Sequence, residues 1–389
     1  MSVAVPYVDT SWTLELLKDL IRIDSVNPSL VRGGKGELAI SEFIAKRLDE
    51  IGLETEMMEV EKGRPNVVGI LRGEGGGSSL MLNGHTDTVG VDGMEIDPFD
   101  PVVKEGRIYG RGAADMKNGL AAMMAATKAI VDSKVKLKGD LIVAGVADEE
   151  YASLGTERLV KDLKTDAAIV CEPTDLAVGI AHKGFVWLAI TVHGKAAHGS
   201  RPELGVDAIF KMRKVMDGVE NFQQRVFSKM SHALLGRPTL HASTIEGGKG
   251  LSTYPDFCKL QLEIRTIPGI SGSELTQQFN EMLTNISMED RQFKGELTPM
   301  FERGPFEIAP DTKIVQTLRS SISKVLGMET PYIGMSGWLD SEIICKAGMP
   351  VAIFGPGGVG EHAAIEYAEV DQLGAATKVL ASSIEDFCG

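Results

Sequence analysis

Four short apolar runs, each followed at once by polar residues, constrain this chain most. Residues 80–82 run into Asn83-Gly84-His85, and 141–146 into Ala147-Asp148-Glu149-Glu150. Residues 167–170 run into Cys171-Glu172-Pro173, and 351–354 into Gly355-Pro356-Gly357. Runs this short and this uniformly apolar read as strands buried on both faces. Stretches of helical periodicity accompany them: 10–23, 37–51 with Gly52 as its C-cap, 118–131, 156–163 and 311–326. Strands alternating with helices predict an α/β fold with a central, mostly parallel sheet flanked by helices. In such sheets ligands sit beyond the carboxyl ends of the strands, where these polar residues stand.

The middle of the chain reads differently. A mixed run at 186–192 precedes a helix at 206–224. Strands follow at 241–245 and 259–267, where Leu260, Leu262 and Ile264 alternate with Gln261, Glu263 and Arg265. A helix at 274–286 closes the set. This β-α-β-β-α order predicts a smaller α+β domain inserted at 183–297, with 1–182 and 298–389 forming the first domain. A length of 389 residues fits two to three domains. The net charge of −14 argues against nucleic acid or an anionic membrane as a partner. Cys171, Cys258, Cys345 and Cys388 are far apart with no C-x-x-C pair, which fits a reducing compartment. Asp9, Glu15, Lys18 and Asp19 interrupt the first apolar stretch, unlike a signal peptide, and no uncharged apolar run is long enough to span a bilayer. The expected location is the cytoplasm.

Five segments carry acidic or imidazole groups at strand ends or in loops. His85-x-Asp87 offers a metal-binding imidazole and a carboxylate to orient it; it also reads as a loop histidine beside a capping aspartate. Asp115 stands before an apolar helix, where it is either an N-cap or a carboxylate bridging two ions. Glu149 and Glu150 are adjacent past a buried strand, costly unless a cation or a proton compensates. One could ligate metal and the other act as general base, or both could face solvent. Glu172 ends another strand, and Glu361-His362 follows a glycine-rich turn. Taken together, His, Asp and Glu without clustered thiolates suit a hydrolytic site for two divalent ions, zinc or a similar metal.

The motifs GHTDTV (84–89), GRGAADMKNG (110–119), ADEE (147–150), CEPT (171–174) and KAAHGSRPELG (195–205) stand in order. GPG followed by Glu361-His362 completes the series. Over nearly its whole length the chain resembles the cocatalytic zinc metallohydrolases that include acetylornithine deacetylase, succinyl-diaminopimelate desuccinylase, aminoacylase and glutamate carboxypeptidase. The resemblance implies two ions per chain, zinc expected and cobalt or manganese possible. His85 and Glu172 would hold one, Glu150 and His362 the other, and Asp115 would bridge them. Asp87 would orient His85, and Glu149 would be the general base. The inserted domain would act as a lid and mediate a homodimer. His198 would polarise the scissile carbonyl from the partner subunit, and Arg265 would bind a substrate carboxylate. Ser252 occupies a substrate-contact position where relatives often carry asparagine, and Trp338 stands where small residues are usual; both bear on substrate choice.

The expected activity is hydrolysis of the amide bond of a small N-acyl amino acid. A dipeptidase or carboxypeptidase with the same site is the near alternative, and a non-catalytic metal-binding protein the distant one. Gly355, Gly357 and Gly360 fit G-x-G-x-x-G, but too little chain follows for a dinucleotide unit. Cys171, ending an apolar strand, reads as buried and inert.

Overall fold

Uniformly apolar runs form the centre of the main sheet, because only a strand covered on both faces can leave every side chain dry. The computed structural model describes residues 6–389. Leu80–His85, Leu141–Val146, Ala167–Val170 and Val351–Ile353 lie side by side in parallel, and all are buried. Antiparallel strands extend the sheet on both sides. Glu54–Glu61 and Arg64–Leu71 add to one edge, and Val178–His182 and Phe306–Glu307 to the other. Parallel pairing requires crossovers, which the helices supply. Asn118–Asp132 is buried almost all round by alanine, methionine and leucine, and Val370–Cys388 is largely buried. Thr10–Arg22 is capped by the Asp9 side chain, which accepts from the Trp12 amide, and Leu38–Ile51 ends on Gly52 at φ 104°.

The chain forms two compact units. One comprises the chain up to Ile180, Ile308–Ile333 and Leu339–Gly389; the other comprises Ala181–Glu307 and Gly334–Trp338. The second unit is built on a four-stranded antiparallel sheet in the order Thr239–Gly247, Phe257–Thr266, Gly184–His193, Gly295–Arg303. Helices Ala208–Arg225 and Gly272–Glu289 cover one face through Met212, Val215, Leu275, Phe279 and Leu283. The expected boundary at 297 falls inside the strand Gly295–Arg303, so the unit runs ten residues further, and it also takes in Gly334–Trp338. Pro299 interrupts that strand's pattern, yet it sits on an edge, where the missing N–H costs little. No helix among the described residues is long and apolar enough to cross a membrane.

Candidate active site

Three of the four central strands deliver the residues at or just past their ends to one cluster in the first unit. Leu80–His85 ends on His85 itself. Leu141–Val146 leads through Asp148, at φ 70°, to Glu149 and Glu150. Ala167–Val170 leads to Glu172. Asp115 comes from an irregular turn before helix Asn118–Asp132 and its peptide bond to Met116 is cis. A Cβ at Gly119, in that helix's first turn, would collide with the Cys171 carbonyl, so glycine is needed for helix and strand to meet.

The contacts divide into two triads that share Asp115. His85 Nε2 lies 3.0 Å from Asp115 Oδ1 and 3.8 Å from Glu172 Oε1. His362 Nε2 lies 3.5 Å from Asp115 Oδ2 and 2.9 Å from Glu150 Oε2. Within each triad the potential ligand atoms are all within 4.8 Å of one another. The two oxygens of Asp115 therefore face different imidazoles. Burial pushes the Asp115 carboxyl up, but hydrogen bonds with His362 and His85 outweigh it and hold it well below its usual range. Burial, reinforced by Glu172 and Glu150, pushes the Glu149 carboxyl far up despite His85. Burial does the same to Glu172. Such a dry excess of carboxylates calls for cations. Glu150 Oε1 is also buried with no partner among the described residues. Each triad is one nitrogen and two oxygen donors with no thiolate, which fits zinc, manganese or cobalt.

Asp87 differs from expectation. His85 Nδ1 donates to the main-chain carbonyl of Asp87 at 2.9 Å, whereas the Asp87 carboxylate is 3.7 Å away. That carboxylate instead accepts from the Glu149 amide at 3.1 Å, the Glu150 amide at 3.2 Å and Asn27 Nδ2 at 2.7 Å. It fixes the turn that carries both glutamates. Behind it, Asn27 also reaches Asp148, and Arg64 joins Asp148 at 2.8 Å to Glu37 at 2.5 Å. A second brace was equally unforeseen. The buried Glu366 accepts from Arg111 at 2.7 Å and from the amides of Gly112, Ala114 and Asp115 at 2.9–3.0 Å, pinning the turn that presents Asp115. The sequence offered only a glutamate four residues past His362 as a signal.

The remaining candidates lie in the second unit and outside both triads. His198 is exposed, its Nδ1 2.8 Å from Ser200 Oγ. Ser252 is exposed and accepts the Gly199 amide through its carbonyl. Arg265 donates through Nε to Glu263 at 2.5 Å. Cys171 is buried, and burial pushes its thiol far up, as an inert cysteine requires.

Residues 81–386 match the model of peptidase family M20/M25/M40. An acetylornithine deacetylase of Vibrio atlanticus (strain LGP32) is 30% identical over 386 residues, covering 96% of this chain and 98% of that one. An N-formyl-4-amino-5-aminomethyl-2-methylpyrimidine deformylase of Bacillus subtilis (strain 168) is also 30% identical, over 96% of this chain and 94% of that one. A solved dinuclear metal-binding peptidase of the M20 family from Bacillus subtilis shares the fold, with TM-score 0.75 at 14% identity over 97% of this chain and 98% of that one. The chain belongs to peptidase family M20/M25/M40, whose members are metal-dependent, and it is a hydrolase of amide or peptide bonds.

Proposed function

We propose that the chain hydrolyses the amide bond of a small N-acyl amino acid with two divalent ions, zinc being the expected metal. The observation that carries this is the pair of triads sharing Asp115 with Glu149 close by. His85 and Glu172 would hold one ion, Glu150 and His362 the other, and Asp115 both. When bound, the ions act as Lewis acids toward the carbonyl and toward water. Glu149 takes the proton of the attacking water on its carboxylate and returns it to the leaving amine, so the products are an acid and an amine. Burial suits it to accepting that proton, because a carboxyl pushed upward is a stronger base than an ordinary carboxylate. Asp87 serves catalysis by holding the Glu149–Glu150 turn.

The acetylornithine deacetylase relative supports an N-acyl amino acid as substrate, and the deformylase relative supports hydrolysis of a small acyl group. The M20 peptidase neighbour supports the alternative, a dipeptidase or carboxypeptidase using the same centre. Assay of amine release from N-acyl amino acids and dipeptides, with zinc, cobalt or manganese supplied, separates these readings. Elemental analysis should approach two ions per chain, and full activity without metal would overturn the proposal. Four free cysteines support a cytoplasmic setting.

We also place the second unit in a homodimer. Its edge strand Thr239–Gly247 is exposed along nearly its whole length, and Ile209, Phe210, Met216 and Ile245 are exposed apolar side chains on the same unit. An exposed strand edge and apolar patch invite pairing with a second copy. In that dimer His198 would reach the partner's centre, and Arg265 and Ser252 would contact substrate. Mixing His198→Ala with Glu149→Ala chains should restore up to about a quarter of wild-type activity by random assortment in a two-fold dimer. A mixture that exchanges subunits yet stays inactive would place His198 outside the partner's site.

A further inference from the structure

The strand Arg64–Leu71 runs antiparallel beside Leu141–Val146, with Val67 opposite Gly145. Its first three residues therefore extend past the end of that partner, along the turn that carries Glu149 and Glu150. Strand alternation puts Arg64 and Asn66 on one face. Both are buried, and both turn their side chains to this loop. Asn66 accepts the Ala147 amide at 3.0 Å through Oδ1 and donates to the Gly155 carbonyl at 2.8 Å through Nδ2. Ala147 and Gly155 are also joined to each other, the Gly155 amide donating to the Ala147 carbonyl at 3.0 Å. One asparagine thus ties both ends of the loop to a strand.

The neck of the loop is tight. A Cβ at Gly155 would lie 2.4 Å from Ala147 backbone atoms and 2.5 Å from Asn66 Oδ1, so only glycine fits there. Inside the loop Asp148 and Ser153 both take left-handed conformations, at φ 70° and 57°. Residues other than glycine persist in that region only where their surroundings impose it. Arg64 does so at Asp148. Its Nη2 donates to Asp148 Oδ1 at 2.8 Å, while Nε and Nη1 are anchored on Glu37 and Ser29 at 2.9 Å each. A lysine has no such fork. The Asp148 carbonyl in turn accepts the amides of Tyr151, Ala152 and Ser153 at 3.3, 3.1 and 2.5 Å.

This loop decides between neighbours. Glu149 and Glu150 are adjacent carboxylates of equal reach, and a shift of the turn by one residue would exchange their places. Glu150 Oε2 is 2.9 Å from His362 Nε2, whereas Glu149 belongs to neither triad. Asp87 accepts the two amides separately, Glu149 on Oδ1 and Glu150 on Oδ2. Those contacts alone do not fix the register, because any adjacent pair of amides offers the same two donors. The clamp on Ala147, Asp148 and Gly155 does. We propose that Arg64 and Asn66 are positioning residues that set the register of this turn, so that Glu150 takes the ligand place and Glu149 the base place. The proposal rests on the roles given to the two glutamates above and adds what enforces them.

The test uses the full chain loaded with cobalt(II), whose visible absorption follows ligand identity and geometry. Elemental analysis and steady-state kinetics accompany it. Asn66→Ala and, independently, Arg64→Lys should lower kcat about ten- to a hundredfold, the scale of changes made behind a metal site, with KM within about twofold. Two ions should remain, and the cobalt spectrum should differ from that of the wild type. Val68→Ala, a buried apolar change in the same strand, controls for destabilisation alone. It should lower the denaturation midpoint and leave kcat per folded chain and the spectrum unchanged. Arg64→Lys keeps the buried charge, so it decides the matter if Asn66→Ala does not fold. If both variants match the wild type in kcat per folded chain and in spectrum, the two residues only support the fold and the proposal falls. Loss of an ion, with kcat restored by excess metal, would make them devices for metal affinity and overturns it too. A wild type that cleaves neither N-acyl amino acids nor dipeptides removes the hydrolase reading separately. The cobalt spectrum then reads the clamp by itself: a change in the variants supports it, and an unchanged spectrum removes it.

Discussion

The two sheets place their polar chemistry on different parts of their strands. In the first unit, most ligand-type side chains sit past buried parallel strands, and two of the turns that carry them are held from behind. Asp87, Asn27, Arg64 and Glu37 hold the Glu149–Glu150 turn, and Glu366 with Arg111 holds the Asp115 turn. In the second unit the candidate residues stand on an open sheet face and in exposed loops, with contacts as local as His198 to Ser200 or Arg265 to Glu263. The difference teaches what each job requires. Carboxylates that must share cations within a few ångströms need pre-set backbones, because repulsion would otherwise spread them. Residues proposed to contact only a substrate's outer parts can stand exposed.

The comparison breaks first at Glu149. Replacing it with Ala should lower turnover by about 10²–10⁴ while both ions stay bound, since in the proposed mechanism it is the general base and not a ligand. Steady-state kinetics with elemental analysis checks this. Loss of metal instead would mean that Glu149 and Glu150 have exchanged roles.

Next in size is the brace itself. Glu366→Ala leaves the buried Arg111 charge and the amides of Gly112, Ala114 and Asp115 without their shared acceptor. Removing one partner of a buried pair costs about 3–5 kcal/mol. The matching change in the second unit, Glu263→Ala, removes a partly exposed partner of Arg265 and should cost under about 1 kcal/mol. Denaturant midpoints of the two variants check the contrast. Equal losses would erase the distinction drawn between the two units.

That contrast also explains what could be read without coordinates. Strand-end residues such as His85, Glu149 and Glu172 were legible because a short apolar run stopping at a polar residue is a local signal. The braces were not: Glu366 contacts amides more than 250 residues away, and nothing near it in sequence marks them. Asp87 was found, but its geometry was not, because spacing alone does not separate a side-chain contact from a main-chain one. Glu54–Glu61 went unread because an exposed edge strand carries charges on both faces. Helix Val370–Cys388 went unread because small residues buried on nearly every side leave little periodicity. Pro299 hid the strand that closes the second unit.

The smallest expected effect sharpens the comparison from the second unit's side. Asp290, at the end of helix Gly272–Glu289, accepts from Lys211 at 2.6 Å and Lys214 at 2.9 Å, both on helix Ala208–Arg225. Those hydrogen bonds pull its carboxyl well below the ordinary 3.8. A depressed carboxyl stabilises the fold fully above its unfolded-state value, and the contribution disappears as pH falls through the folded one. Asp290→Asn keeps an acceptor for the Gln292 amide at 3.1 Å but loses the charge. Both lysines reach solvent, so screening limits the loss to about 0.5–1 kcal/mol at neutral pH. Denaturation followed by tryptophan fluorescence, with Trp187 and Trp338 reporting on this unit, should show a constant gap between wild type and variant above about pH 5. Below about pH 4 the gap should narrow as Asp290 of the unfolded chain takes up its proton, and it should close only as the folded carboxyl is protonated in stronger acid. Added salt should shrink it at neutral pH, as for a pair within reach of solvent. A gap that persisted undiminished into acid would mean that Asp290 acts through packing or hydrogen bonding and not through its charge, and the second unit would then share the first unit's dependence on buried polar geometry.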